Sequence, residues 1–210
     1  MGHRLGGLAA TRGLAVKVRP LTFDALVAVI VDQVSELDGR VRVLIDGAPA
    51  ADPAKLADAA VEPLRALGRA VRRVSLQDFL RPASVRLEHG RTDSYSYRHD
   101  WFDYKGLQRE VLDPALDGRV LPSLWNAATD RASRAEYVAL PENGVVLVDG
   151  TLMLDRWLPA ELTVHLWLSP GALKRKTTEQ WTLPAFDDYD PVADLFVRYD
   201  HPERPGLVES

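Results

Sequence analysis

The stretch that decides the fold is Val41–Ala60, VRVLIDGAPAADPAKLADAA. It opens on a short β-rich run, Val41–Leu44, that continues through Ile45 and Asp46 to Gly47. It ends in a helical pattern from Pro53 to Leu67, with Leu56, Ala57, Ala60, Val61 and Leu64 on one face and Gly68 as the stop. Asp52 is a favoured N-cap and Pro53 a favoured first helical residue, so the helix announces its own start.

Working outward, strands and helices alternate. Upstream, Thr22–Val34 places Phe23, Leu26, Val27, Ile30, Val31 and Val34 on one helical face, with Thr22 as its cap. Downstream, Val71–Leu76, Val145–Val148, Leu162–Leu168 and Leu195–Tyr199 are further strands, and Leu107–Leu112 is helical. Residues 80–100 show no clean period and are expected to be a long surface excursion. Strands apolar on both faces predict an α/β three-layer sandwich around a mostly parallel sheet of about five strands. Such sheets bind ligands beyond the carboxyl ends of their strands, so 46–55, 77–82, 125–131 and 149–154 are the segments that matter.

Composition narrows the function classes. The chain has 210 residues, is 46% hydrophobic and 27% charged, and carries a formal charge of −4. That predicts one domain over residues 21–210 after a flexible tail over 1–20. A mildly acidic chain has no global attraction for nucleic acid or anionic membrane, and neither is expected as a partner. With no cysteine, disulfides, thiolate metal sites and a cysteine nucleophile are excluded. His3, His89, His99, His165 and His201 have no paired metal spacing, so no metal site is expected, and His165 is expected to be a hydrogen-bonded core residue. The longest strongly apolar run, Leu26–Val31, is far below the roughly 18 residues that span a bilayer. With no signal-like h-region, a cytoplasmic location is expected.

Strand, glycine, loop and helix at Val41–Ala60 share the layout of a phosphate-binding loop. That loop, G-x-x-x-x-G-K-[ST], uses backbone N–H groups, a lysine and a metal-binding hydroxyl. Here Gly47 holds the first glycine position, but Asp52, Pro53 and Ala54 stand where Gly, Lys and Ser/Thr are needed. Asp52 adds negative charge and caps the N–H groups an anion would use, and Pro53 has none to offer. Lys55 lies about 200° around the helix from the lysine position and should point elsewhere.

From Val41 to Val208 the chain resembles the uridine kinase and phosphoribulokinase branch of P-loop kinases, at VRVLIDG, RVSLQDFLRP, SYRHDWFDY followed by LDP, and VVLVDG. The resemblance implies a kinase fold, ATP with magnesium if the protein is active, and no cofactor if its loop is disabled. It places Gln77 at the position of the substrate-activating aspartate, with Asp78 one residue on, either as a displaced base or as a turn residue. Asp100, Trp101, Phe102 and Asp103 match a nucleoside-side segment, or else a helix start with core aromatics. Tyr97 falls where an acidic sugar-binding residue is expected. Trp125, Asn126 and Arg131 fall at an aromatic–polar pair and a basic pocket residue. Asp149 with Gly150 resembles the Walker B-like, magnesium-side acid. Lys174, Arg175 and Lys176 resemble the start of an arginine-rich lid, shortened here to about 171–188, or else a solvated helix face.

Three functions stay open at this stage. The chain is a pseudokinase that binds a partner or a small molecule of nucleoside or sugar-phosphate type. Alternatively it is a divergent nucleoside or small-metabolite kinase. The third is a structural subunit that dimerises through the Thr22–Val34 face.

Overall fold

A computed structural model describes residues 17–209. Its main sheet has seven strands: β1 (Lys17–Pro20), β2 (Val41–Gly47), β3 (Ala70–Ser75), β4 (Gly144–Gly150), β5 (Leu162–Trp167), β6 (Leu195–Arg198) and β7 (Gly206–Glu209). Their spatial order is β1-β7-β6-β5-β2-β4-β3. The five strands expected from the sequence are the five parallel ones. Val41 and Val71 both pair with Val145, Val43 pairs with Leu162, and Leu195 pairs with Val164. β2, β4 and β3 are therefore neighbours with their carboxyl ends on one rim.

The sheet differs from expectation at one edge. β7 runs antiparallel to both β6 and β1, and Lys17–Pro20, expected to be tail, is β1. Val18 is the only aliphatic residue of that strand, so no period announces it. Pairing with β7 makes it a strand, with Lys17 and Arg19 reaching Glu209 at 2.9 and 3.0 Å. The rest of the expected tail, residues 1–16, lies outside the described residues.

One face of the sheet carries α1 (Phe23–Ser35) and α2 (Pro53–Ala66). Thr22 Oγ1 caps α1 by accepting from Ala25 N at 3.1 Å. Gly68, at φ +79°, ends α2 in the left-handed conformation that glycine adopts freely, and Arg69 N closes back on Leu64 O. Leu26, Ile30 and Val34 of α1 are fully buried against α2 and the strands. Each such leucine or isoleucine contributes about 1.5–3 kcal/mol through burial. The apolar face of Thr22–Val34, on which the dimerisation expectation rests, thus packs inside the fold.

The opposite face is covered by short pieces: Ser94–His99, Tyr104–Leu107, Asp113–Leu116 and a 3-10 segment, Gln180–Phe186. They enclose a second core with Leu44, Val146 and Val148 of the sheet. Residues 80–100 are thus not only a surface excursion, since Leu80, Ser96 and Tyr97 are buried.

Candidate functional site

The rim where β2, β3 and β4 end is built from residues in register: Ile45 lies beside Asp149, and Asp149 beside Ser75. Gly47 closes β2 where the backbone passes β5. A Cβ there would come within 3.1 Å of Leu166 Cβ and 3.2 Å of Leu166 O.

The loop beyond Gly47 folds onto itself. Pro49–Ala51 forms a 3-10 turn, in which Ala51 N donates to Ala48 O and Asp52 N to Pro49 O. Asp52 then takes a left-handed conformation (φ 53°, ψ 61°), and its Oδ1 accepts from Lys55 N at 3.2 Å. Pro49 and Pro53 offer no N–H at all. Asp52 is therefore the expected cap, although an N-cap ordinarily sits in the β region. Its backbone is one that glycine adopts more easily. Its carboxylate also helps burial raise the phenol of Tyr199 to about 12. Lys55 turns away from the loop, its Nζ lying 5.0 Å from the centre of the Phe23 ring.

Beside the loop, Asp149 is almost wholly buried. Ser75 Oγ donates to its Oδ2 at 3.1 Å, and Arg73 Nη2 lies 2.8 Å from its Oδ1. The Oδ1 contact is an ion pair by distance but is not aligned as a hydrogen bond. Arg73 Nε also reaches Asp58 of α2 at 3.1 Å. Burial raises the Asp149 carboxyl above its ordinary value, while Arg73 and Ser75 pull it down. Asp78 is half-buried and accepts no side-chain hydrogen bond among the described residues. Burial raises its carboxyl too, against the pull of Arg73. Gln77, aligned to the base position, is exposed.

The other predicted residues occupy separate local structures. Tyr97 is 5% exposed, enclosed by Trp101, Phe102, Trp181 and Phe186 at centroid distances of 5.5–6.4 Å. It is a core aromatic rather than an open pocket wall, and burial raises its phenol well above the usual range. Asp100 ends the Ser94–His99 helix and pairs with Arg81 at 3.2 Å, whereas Asp103 caps the next helix through Gly106 N. Trp125 and Arg131 lie on a small ribbon, Trp125–Asn126 against Arg131–Ala132. The Trp125 indole donates to Asp130 at 3.1 Å. Lys174, Arg175 and Lys176 end α3 (Pro170–Lys176) and are exposed, with Lys176 Nζ donating to Asp200 O. The segment that follows docks Trp181 against Tyr97 and Trp101.

One group escaped sequence reasoning. Asp46 is fully buried and accepts from Met153 N at 2.9 Å and from the Tyr189 hydroxyl at 2.9 Å, and it meets His165 Nδ1 at 2.8 Å. His165 is the hydrogen-bonded core residue expected of it. An aspartate closing an otherwise apolar strand, with a histidine inside another, was the available signal; Tyr189 gave none. Two surface concavities lie off the rim. One, of about 390 Å³, is lined by Arg198, His201 and Arg204 beside β1, and the other, of about 350 Å³, lies between α1 and α2.

Two solved structures that share this arrangement carry kinase descriptions. A Bacillus stearothermophilus protein described as a possible uridine kinase superposes with a TM-score of 0.63 at 16% identity, covering 79% of this chain and 92% of its own. A Silicibacter sp. TM1040 protein assigned as a fructose transport system kinase gives 0.65 at 22% identity, covering 84% and 98%. The chain shares their α/β fold, a mostly parallel central sheet with helices on its faces. No family model matches it, and no curated protein sequence does either. In this fold, the Ala48–Lys55 loop and Asp149 stand at the carboxyl-end rim of the parallel strands, where such sheets bind ligands. Among the described residues, no helix is long and apolar enough to cross a membrane.

Proposed function

We propose that this chain is a uridine kinase-like P-loop protein whose nucleotide site is eroded. It serves as a non-catalytic binding module for a partner or for a small molecule of nucleoside or sugar-phosphate type. The observation that carries this reading is the closure of the loop on itself. The N–H groups of Ala51, Asp52 and Lys55 are engaged by Ala48, Pro49 and Asp52, and two prolines supply none.

The residues present do not fit the nucleotide phosphates and magnesium that this fold implies. The Asp52 carboxylate repels an anion from the helix start, Lys55 is turned to Phe23, and Ala54 has no hydroxyl. Phosphoryl transfer depends on positioned charge, so losing these groups together removes most of the rate. Calorimetry with ATP and magnesium is the test. No magnesium-dependent binding is expected at millimolar nucleotide, and a micromolar dissociation constant overturns the reading. A nucleoside and sugar-phosphate panel in the same instrument looks for the ligand itself.

One observation favours the alternative, a divergent nucleoside or small-metabolite kinase. Asp78 is a half-buried carboxyl that burial raises above its ordinary value, and among the described residues no side chain hydrogen-bonds to it, which leaves it open to accept a substrate proton. Phosphate transfer to a nucleoside from any nucleotide donor, abolished by Asp78→Asn, would establish it.

A further inference from the structure

Two carboxylates meet at one guanidinium, and a third lies within its electrostatic reach. Arg73 contacts Asp149 at 2.8 Å and Asp58 at 3.1 Å, and its charge acts on Asp78. Arg73 and Ser75 project from the same face of β3, being two residues apart on a strand. Ala54 and Asp58 are one turn apart on α2 and share a face of that helix. Asp58 reaches Arg73, so that face is turned toward the ends of β3 and β4. Asp149, Asp58 and the Ser75 hydroxyl are oxygen donors, the set a hard divalent cation prefers. Asp149 is 3% exposed, and its Oδ1 accepts no aligned hydrogen bond.

We propose that Arg73 is the resident cation of this rim: its guanidinium neutralises Asp149 and Asp58 where a divalent ion would otherwise be held, so the protein binds no metal there. An arginine cannot give up its proton in a protein, so this charge is permanent. A metal ion could enter only by expelling the side chain. The arrangement also accounts for the tolerance of Ala54, because a site whose cation is covalently attached needs no hydroxyl ligand. The inference builds on the reading of the rim as a disabled phosphoryl-transfer site. Its test contains no nucleotide, so either can fail alone.

The experiment uses the full chain as wild type, Arg73→Met, and Arg73→Met with Asp149→Asn, each melted with and without millimolar Mn²⁺. Mn²⁺ binding is followed in parallel by paramagnetic resonance. Wild type is expected to ignore Mn²⁺. Arg73→Met should melt roughly 5–10 °C lower in metal-free buffer, because it leaves a buried carboxylate uncompensated. Mn²⁺ should recover most of that loss, and adding Asp149→Asn should abolish the recovery. If Arg73→Met does not fold without metal, refolding from denaturant becomes the readout, with folded protein expected only when Mn²⁺ is present. An Arg73→Met protein that gains nothing from Mn²⁺ in either format overturns the proposal. So does a wild-type Mn²⁺ site that disappears on Asp149→Asn.

Discussion

Asp46 and Asp149 sit near the ends of neighbouring strands, β2 and β4, and each has almost no contact with water. Their side chains leave the sheet on opposite faces and are stabilised by opposite means. Asp46 takes a backbone N–H, a phenol and an imidazole, directional partners that come from three separate segments. Asp149 takes one hydroxyl and one unaligned guanidinium, so much of its stabilisation is Coulombic. A carboxylate satisfied by directional bonds fixes architecture, because moving it strands every donor. One satisfied by charge is replaceable, since any suitably placed cation will serve.

The largest expected effect follows from that contrast. Asp46→Ala leaves buried donors from Met153, His165 and Tyr189 without their acceptor and should cost about 3–4 kcal/mol in urea unfolding. Asp149→Asn removes a charge that burial already disfavours, and should cost only about 1–2 kcal/mol. Equal losses would erase the distinction between the two carboxylates.

A smaller effect sharpens the reading of the loop. Glycine at position 52 relieves the left-handed backbone, worth about 1 kcal/mol, against a few tenths for the lost cap. Asp52→Gly should therefore be neutral to slightly stabilising, although the sequence alone counts only the lost cap. Asp52→Ala loses the cap and keeps the strain, and should cost about 1–2 kcal/mol. If the two variants unfold at the same denaturant concentration, the left-handed backbone at Asp52 carries no cost.

The smallest effect is a pH dependence. Burial raises the Asp78 carboxyl above its ordinary 3.8 despite Arg73, so the folded protein keeps that proton longer than the unfolded chain does. Asp78 therefore favours the fold below its unfolded pKa, and that contribution is lost as pH rises through the folded value. The melting temperature of Asp78→Asn, relative to wild type, should climb as pH is raised through the window above 3.8. A flat or falling difference would mean that Asp78 is solvated like a surface carboxylate.

The parts that could be read from the sequence are those whose causes are local. The central parallel strands announce themselves because burial on both faces favours near-continuous apolar runs, VVLV and, broken only by Arg42, VRVLI. The Asp52 cap joins residues three apart, so the loop's chemistry was visible before its conformation was. The positive φ at Asp52 was not, because it depends on how the Pro49–Ala51 turn delivers the chain to α2. Asp46 meets His165 across 119 residues and Tyr189 across 143, separations at which no spacing rule operates. The Arg73–Asp149 pair was hidden for the same reason, since β3 and β4 become neighbours only through the crossover order.

The edge ribbon has a consequence for the order of events during synthesis. β1 has no partner until β7 exists, and Arg19 and Glu209 are separated by 190 residues. At ribosomal rates of roughly 5–20 residues per second, β1 waits about 10–40 s before its hydrogen bonds can form. The five parallel strands are complete once β6 has emerged, so they can assemble while the first strand is still unpaired. During that interval β6 presents an open edge, and β7 is the segment that closes it. Truncation just before Gly206 would therefore leave two unprotected strands, and nascent chains stalled there should self-associate more readily than full-length ones.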